Sequence, residues 1–200
     1  MNVILDYDSG NLDSVLRGFT QAGIPTIISK DPEVIKKATS LVLPGVGAFG
    51  DAMDALKRSG LIPYILDHVK QNKSLFGICL GMQLLYEWGY EYGQHQGLGL
   101  LKGEVDKLDI SLKVPHMGWN SLEIMKEDPL LKGLSEGDYV YFVHSYYVKS
   151  PMDDVLAGTT YGVFIPAVVR NKNIIATQFH PEKSGTIGQR ILNNYREVIA

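Results

Sequence analysis

The sequence predicts an α/β fold in which a mixed, mostly parallel central sheet is flanked by helices on both faces. Three observations predict it. Apolar runs short enough for buried strands, Val3-Ile4-Leu5, Thr26-Ile27-Ile28 and Leu41-Val42-Leu43, alternate from the first residues with segments of helical periodicity, as in a parallel sheet covered on both sides. The stretch from Ser74 to Gln83 reads as strand, sharp turn and helix, with Gly77 and Gly81 spaced evenly about Cys79, the lone cysteine. Late in the chain, Val163 to Val169 and Ile174 to Phe179 flank the turn Asn171-Lys172-Asn173, a hairpin that adds antiparallel strands at the edge of such a sheet.

Each element has a local reason. The loop Asp6-Tyr7-Asp8-Ser9-Gly10-Asn11 ends on Asn11 as an N-cap, ahead of Leu12, Val15, Leu16 and Phe19 at helical spacing, and Gly23 and Pro25 stop that helix. Asp31-Pro32-Glu33 supplies a cap, a first-turn proline and an acid at the positive end of the next helix. The third strand runs into Pro44-Gly45-Val46-Gly47-Ala48-Phe49-Gly50, a glycine-rich loop before a helix near Asp51 to Arg58. Another helix spans Leu61 to Val69 with Pro63 in its first turn, and the helix leaving the elbow carries Met82, Leu84, Leu85 and Trp88. Past a glycine-punctuated loop, alternation from Leu100 to Leu112 predicts β-structure, and Tyr139 to Val143 and Val155 to Thr160 are strands. Ile187, Ile191, Leu192, Tyr195 and Val198 mark a closing amphipathic helix.

Composition excludes several classes of function. With 200 residues and 45% hydrophobic content, the chain reads as one domain over 1–200 that buries a full core without metals or disulfides. A lone cysteine cannot form an internal disulfide, and no run approaches the roughly 20 apolar residues of a membrane span, so a cytoplasmic protein is expected. A net charge of −3 with scattered lysines and arginines lacks the basic stripe that nucleic acid requires. No H-x-x-x-H or C-x-x-C spacing offers a metal ligand set, and the glycine loop matches neither phosphate-binding nor dinucleotide-binding patterns, so no metal and no cofactor are expected.

The chemistry gathers at Cys79. A glycine-flanked nucleophile between strand and helix is the thiol counterpart of the G-x-S-x-G elbow, where the start of the helix and a nearby histidine favour the thiolate. His180-Pro181-Glu182 supplies that histidine. Proline keeps the residue before it extended, and positions i and i+2 of an extended chain project to one side, so the imidazole and carboxylate can meet. A histidine held by a carboxylate keeps its other ring nitrogen free as a base, as a Cys-His-acid triad needs. The glycine loop places backbone N–H groups near Val46 and Gly47, half of an oxyanion hole completed by the N–H of Leu80. His144, at a strand end, is a rival base. His68, on a predicted surface helix, and His95, in a loop, are expected to be solvated. Spacing alone makes His116 a hydrogen-bonded surface histidine and Trp119 a packed aromatic.

Together, Gly77-Ile78-Cys79-Leu80-Gly81-Met82-Gln83 and Phe179-His180-Pro181-Glu182 resemble the class I glutamine amidotransferases. Within them, Pro44 to Gly50, Pro115-His116-Met117-Gly118-Trp119-Asn120 and Tyr141-Phe142-Val143-His144-Ser145-Tyr146 resemble the branch of glutaminase subunits that serve imidazole glycerol phosphate synthases. The likeness covers the whole chain, although Asp6 to Asn11 departs from the Tyr-Gly-x-Gly-Asn form of that branch. The resemblance implies a flavodoxin-like three-layer sandwich. It implies that Cys79 attacks the side-chain amide of glutamine while His180 shuttles the proton and Glu182 orients it, with Gly45, Gln83, Ser145 and Tyr146 holding the substrate. It further implies a (β/α)₈-barrel cyclase partner that binds the nucleotide PRFAR and receives ammonia through an internal channel, with Trp119, Tyr141 and Lys183 facing it. Glycine on both sides of Val46 makes a peptide flip inexpensive, which predicts a loop not set for catalysis until that partner is loaded. The alternatives are a glutaminase of another synthase, for pyridoxal phosphate or a surface sugar, a non-catalytic assembly subunit of this fold, and a cysteine-elbow hydrolase or stress chaperone.

Overall fold

The computed structural model describes residues 1–8 and 10–199. Strands β1 (Asn2–Leu5), β2 (Thr26–Ser29), β3 (Ser40–Leu43) and β4 (Ser74–Ile78) alternate with helices α1 (Leu12–Gln21), α2 (Pro32–Lys37), α3 (Phe49–Arg58) and α4 (Ile62–Lys70). Both predicted caps form: the Asn11 side chain accepts from the Ser14 N–H at 3.4 Å and Asp31 from the Glu33 N–H at 2.9 Å. Helix α5 (Leu80–Leu84) is followed by β5 (Trp88–Gly89), β6 (His95–Gln96), β7 (Glu104–Lys107), β8 (His116–Ser121), β9 (Glu123–Ile124), β10 (Tyr139–His144) and β11 (Tyr146–Lys149). Then come β12 (Val155–Tyr161), β13 (Val163–Asn171), β14 (Ile174–Thr177) and α6 (Gly185–Val198).

The main sheet runs β2-β1-β3-β4-β14-β13-β12-β9, parallel from β2 to β14 and antiparallel beyond. Alternation along the strands sends side chains to two cores. Val3, Leu5, Leu41, Leu43 and Leu75 pack with Ile35, Met53, Leu56 and Ile65 of α2, α3 and α4. Ile4, Val42, Phe76 and Ile78 face the other way, onto Val15 and Phe19 of α1 and Ile191, Leu192 and Tyr195 of α6. Helices therefore cover both faces of a mixed sheet, as expected for near-continuous apolar strands.

Three expectations are corrected. The late hairpin does not sit at the sheet's edge: β14 inserts next to β4 and pairs with it in parallel, Thr177 opposite Ile78, so β13, β12 and β9 lie outside it. Antiparallel pairing across a tight turn fixed the hairpin, but only packing against β4 decided which arm went inward. The helix after the elbow spans five residues, and Trp88 lies in β5, 39% exposed, because the chain turns back to pair with β7. The alternation from Leu100 to Leu112 yields only β7, which joins β11, β5 and β6 in a separate sheet. No helix among the described residues is long and apolar enough to cross a membrane.

Candidate active site

The parallel pairing of β4 and β14 brings two distant segments together, because residues that follow adjacent parallel strands emerge at the same edge. Cys79 leaves β4 with its N–H donating to the Thr177 carbonyl at 2.8 Å, and His180 follows three residues after Thr177. The His180 N–H in turn donates to the Tyr141 carbonyl at 3.1 Å, which ties the segment to β10.

Backbone strain at the elbow falls on the cysteine itself. Cys79 takes φ +54° and ψ −111°, a conformation costing a non-glycine residue about 1–3 kcal/mol. Gly77 and Gly81 are not in the left-handed region. They serve instead to let strand and helix approach: a Cβ on Gly81 would overlap the Leu43 carbonyl oxygen, and one on Gly77 would lie 2.9 Å from Leu85 Cδ1. A helix of five residues carries little macrodipole to act on the sulfur.

His180 Nδ1 lies 2.8 Å from Glu182 Oε1, with side chains 7% and 1% exposed. Room for that carboxylate comes from Gly18 in α1, where a Cβ would stand 2.8 Å from Glu182 Cβ. Burial opposes a charge on His180, but hydrogen bonds and charges from Cys79 and Glu182 prevail and raise its pKa to about 10. The group is thus held as an imidazolium between a sulfur and a carboxylate.

A cavity of about 330 Å³ opens over the sulfur, at the low end of the ~300–1,000 Å³ typical of small-molecule sites. Val46, Gly47, Cys79, Leu80, Gln83, Ser145, Tyr146 and His180 all line it. Gly47 has φ +94° and Val46 is 49% exposed. Gly45 is not in the lining; it packs behind, where a Cβ would meet the Tyr7 hydroxyl at 2.8 Å and Leu80 Cβ at 3.1 Å. Tyr7 Oη itself donates to the Pro44 carbonyl at 2.6 Å, pinning the base of the glycine loop. Gln83 spends its NH₂ on the Tyr146 carbonyl at 2.9 Å and on Gln178 Oε1 at 3.0 Å. Sequence reasoning missed Glu91, which lines the cavity while its Oε2 accepts from the Phe49 N–H at 2.8 Å; a lone glutamate in a glycine-rich loop gave no signal. It also missed Gln178, whose position next to Phe179-His180 was the available clue.

The histidines are redistributed. His144 lines the cavity but is no base: burial pushes its pKa down to about 3. Its Nδ1 lies 2.9 Å from the Tyr146 carbonyl, so that nitrogen carries the proton, and Nε2 accepts from His116 Nδ1–H at 3.0 Å. His116 Nε2 then accepts from Asn120 Nδ2 at 3.2 Å. His116 is therefore buried, not superficial, stacked between Phe142 and Tyr161 at 4.7 and 4.1 Å, and its pKa is lowered to about 4 by burial. His68 is also buried, on the Ile65 side of α4, with Nε2 3.0 Å from the Ser74 carbonyl. Trp119 is 54% exposed, not packed. The β8–β10 pairing explains the exchange: Trp119 opposes Tyr141 and Met117 opposes Val143 on one face, while His116 opposes His144 on the other. Trp119 and Tyr141 meet edge to face at 6.1 Å, and Lys183 is exposed nearby in sequence to Glu182.

A thiol on a strained strand-to-helix turn, backed by a carboxylate-held imidazole at the end of a mixed sheet, defines a class: α/β proteins with a Cys-His-Glu constellation at a nucleophile elbow. Within that class, the chain belongs to the glutamine amidotransferase class-I family, whose model matches residues 3–197. It is 52% identical over 198 residues to the imidazole glycerol phosphate synthase subunit HisH of Lactococcus lactis subsp. lactis (strain IL1403), covering 98% of each chain. The HisH subunit of Aquifex aeolicus (strain VF5) is 49% identical over 197 residues, covering 97% of this chain and 95% of its own. Among solved structures, a glutamine amidotransferase superposes with a TM-score of 0.77 at 22% identity, covering 98% of each chain, and PurLQS from Thermotoga maritima with 0.77 at 19%, covering 100% and 98%. These two likenesses concern the fold.

Proposed function

We propose that this chain is the glutamine-hydrolysing subunit of an imidazole glycerol phosphate synthase, one amidotransferase domain over residues 1–200 acting in the cytoplasm in histidine biosynthesis. The observation that carries the reading is the linked set Cys79, His180 and Glu182 under a cavity of about 330 Å³. Near-full-length relatives that bear this subunit's name support the pathway. Glutamine enters with its carboxamide toward Cys79 and its α-ammonium toward the Glu91 carboxylate, while the backbone of Ser145 and Tyr146 and the Gln83 side chain hold the rest. The thiolate attacks the amide carbon, and the oxygen, now anionic, sits among the N–H groups of Val46, Gly47 and Leu80. His180 gives its proton to the departing nitrogen, ammonia leaves, and water activated by the now neutral imidazole cleaves the γ-glutamyl thioester to glutamate. Glu182 keeps Nδ1 engaged throughout, so Nε2 serves the reaction.

Ammonia then passes through an internal channel to a (β/α)₈-barrel cyclase subunit, which converts PRFAR to imidazole glycerol phosphate and AICAR. The face of the β8–β10 ribbon that carries Met117, Trp119, Tyr139 and Tyr141 runs to Val143 at the cavity wall, and Met117, Trp119 and Tyr139 are 60%, 54% and 57% exposed. Contiguous exposed apolar side chains beside a site mark a docking surface, and Trp119, Tyr141 and Lys183 are the contacts assigned to it. The loop Gly45 to Gly47 adopts its catalytic setting when the cyclase is loaded. The deciding experiment is glutamate release by this chain alone and then with the cyclase subunit and its nucleotide ligand, with Cys79→Ala as the blank. Strong stimulation that Cys79→Ala abolishes is expected; an equal rate without the cyclase would remove the partner and the loop control, and no release under either condition would remove the glutaminase.

A further inference from the structure

Gln178 has no role in the mechanism above, yet its surroundings determine which way its side chain faces. It is fully buried one residue beyond β14, and the parallel register that sets Thr177 against Ile78 places it beside Cys79. One unambiguous acceptor orients the whole chain of contacts. A backbone carbonyl can only accept, so the Gln83 atom 2.9 Å from the Tyr146 oxygen is its NH₂. The same NH₂ lies 3.0 Å from the Gln178 amide, whose facing atom must therefore be Oε1. Gln178 then turns its own NH₂ to the nucleophile, with Nε2 3.8 Å from Cys79 Sγ.

The contact of the sulfur with the Val143 carbonyl behaves differently. The Val143 carbonyl, also 3.8 Å away, needs an S–H to accept from. When that proton moves to His180, this contact loses its hydrogen, whereas the Gln178 donor remains and now faces an anion, where a hydrogen bond is roughly twice as strong as between neutral groups. We infer that Gln178 is a positioning residue for the nucleophile: its N–H holds the Cys79 sulfur as thiolate, and its carbonyl ties that sulfur through Gln83 to the Tyr146 rim of the cavity. The inference rests on Cys79 being the nucleophile. Gln178 neither gains nor loses a proton; the S–H proton goes to His180 alone.

The test reads the pH dependence of Cys79 alkylation by iodoacetamide in the full chain, alongside kcat and KM for glutamine with the cyclase subunit and its nucleotide present. Gln178→Met removes both contacts at nearly constant length. Its alkylation midpoint is expected to rise by about one pH unit, a tenfold loss of thiolate at a fixed pH, with kcat falling and KM rising. Gln83→Met cuts the tether together with Gln83's own hold on the substrate but leaves the Gln178 donor at the sulfur, so KM is expected to rise while the midpoint stays. In the ¹⁵N-labelled wild type, which needs no change at the site, the Gln178 side-chain amide resonance should move with the Cys79 titration and stop moving in Cys79→Ala. An amide resonance indifferent to that titration, or a wild-type midpoint in Gln178→Met, would overturn the inference. If Cys79→Ala still hydrolysed glutamine, the nucleophile assignment itself would fall; if it were inactive and Gln178→Met alkylated like wild type, only the role of Gln178 would.

Discussion

Cys79 holds a strained backbone because three partners fix its surroundings: the Thr177 carbonyl at its N–H, His180 at its sulfur, and Glu182 behind His180. Two predictions belong at this scale. Cys79→Ala should lower glutamine turnover by more than about a thousandfold, since removing the nucleophile of a triad leaves only binding and oxyanion stabilisation. His180 should titrate near 10 in the wild type, and by NMR its midpoint should fall toward the ordinary 6.5 in Cys79→Ala, because the interactions that overcome burial include the hydrogen bond to and the charge of the sulfur. A midpoint unchanged by that substitution would mean that the sulfur does not carry the charge. At the opposite electrode of the same pair, Glu182 Oε2 is buried without a hydrogen-bond partner among the described residues, so the imidazolium is what answers its charge.

Elements place these residues, and a helix enters the site through what it lacks. Gly18 sits inside α1, where alanine would ordinarily add about 1 kcal/mol of helix stability. Here the added Cβ would lie 2.8 Å from Glu182 Cβ and 3.2 Å from its Cα, so the carboxylate must move. Gly18→Ala should therefore cut turnover, on the order of 10²-fold for a displacement near 1 Å, and lower the melting temperature as well, because the clash is with Glu182 Cβ and backbone and not with the end of a flexible side chain; steady-state kinetics beside a melting curve would check both. The β8–β10 ribbon shows the same logic from the other side. A two-strand ribbon must hide one face, and it hides His116, Val140, Phe142 and His144, leaving Trp119 and its neighbours in solvent. Trp119→Ala should weaken binding to the cyclase about tenfold or more, as for an aromatic anchor, without changing the melting temperature of the free chain. Titration calorimetry that gave wild-type affinity would remove Trp119 from the interface.

On the scale of the molecule, three buried histidines set the response to acid. His68, His116 and His144 have pKa values lowered by burial to about 4, 4 and 3, against about 6.5 in the unfolded chain. The unfolded state thus binds more protons below pH 6.5, so the stability these groups confer is complete above 6.5 and is lost as pH falls toward 4. Denaturant midpoints should decline over that window, and His68→Gln should flatten the decline; a midpoint constant from pH 7 to 4.5 would contradict the burial of all three. These same histidines mark where sequence reading stopped. The alternation of apolar strands with capped helices and the elbow are consequences of local sterics and periodicity, so residues a few positions apart sufficed to read them; His180 does meet Glu182, but across a 3-10 turn at Pro181–Lys183 and not along the extended chain the proline was expected to impose. His68, His116 and Trp119 were misplaced because spacing within an element gives its two faces but not which one the rest of the chain will cover. Glu91 and the inward arm of the late hairpin depended on contacts between loops or distant strands, where pattern carries no information, and Gln178, although it adjoins Phe179-His180, meets Gln83 and Cys79 only across nearly a hundred residues. The sequence by itself thus determined the layers of the fold and the chemical identity of the thiol, imidazole and carboxylate; tertiary structure decided their meeting, through the parallel register of β4 with β14, because only sheet pairing can set Thr177 beside Ile78 and so bring His180 to the sulfur.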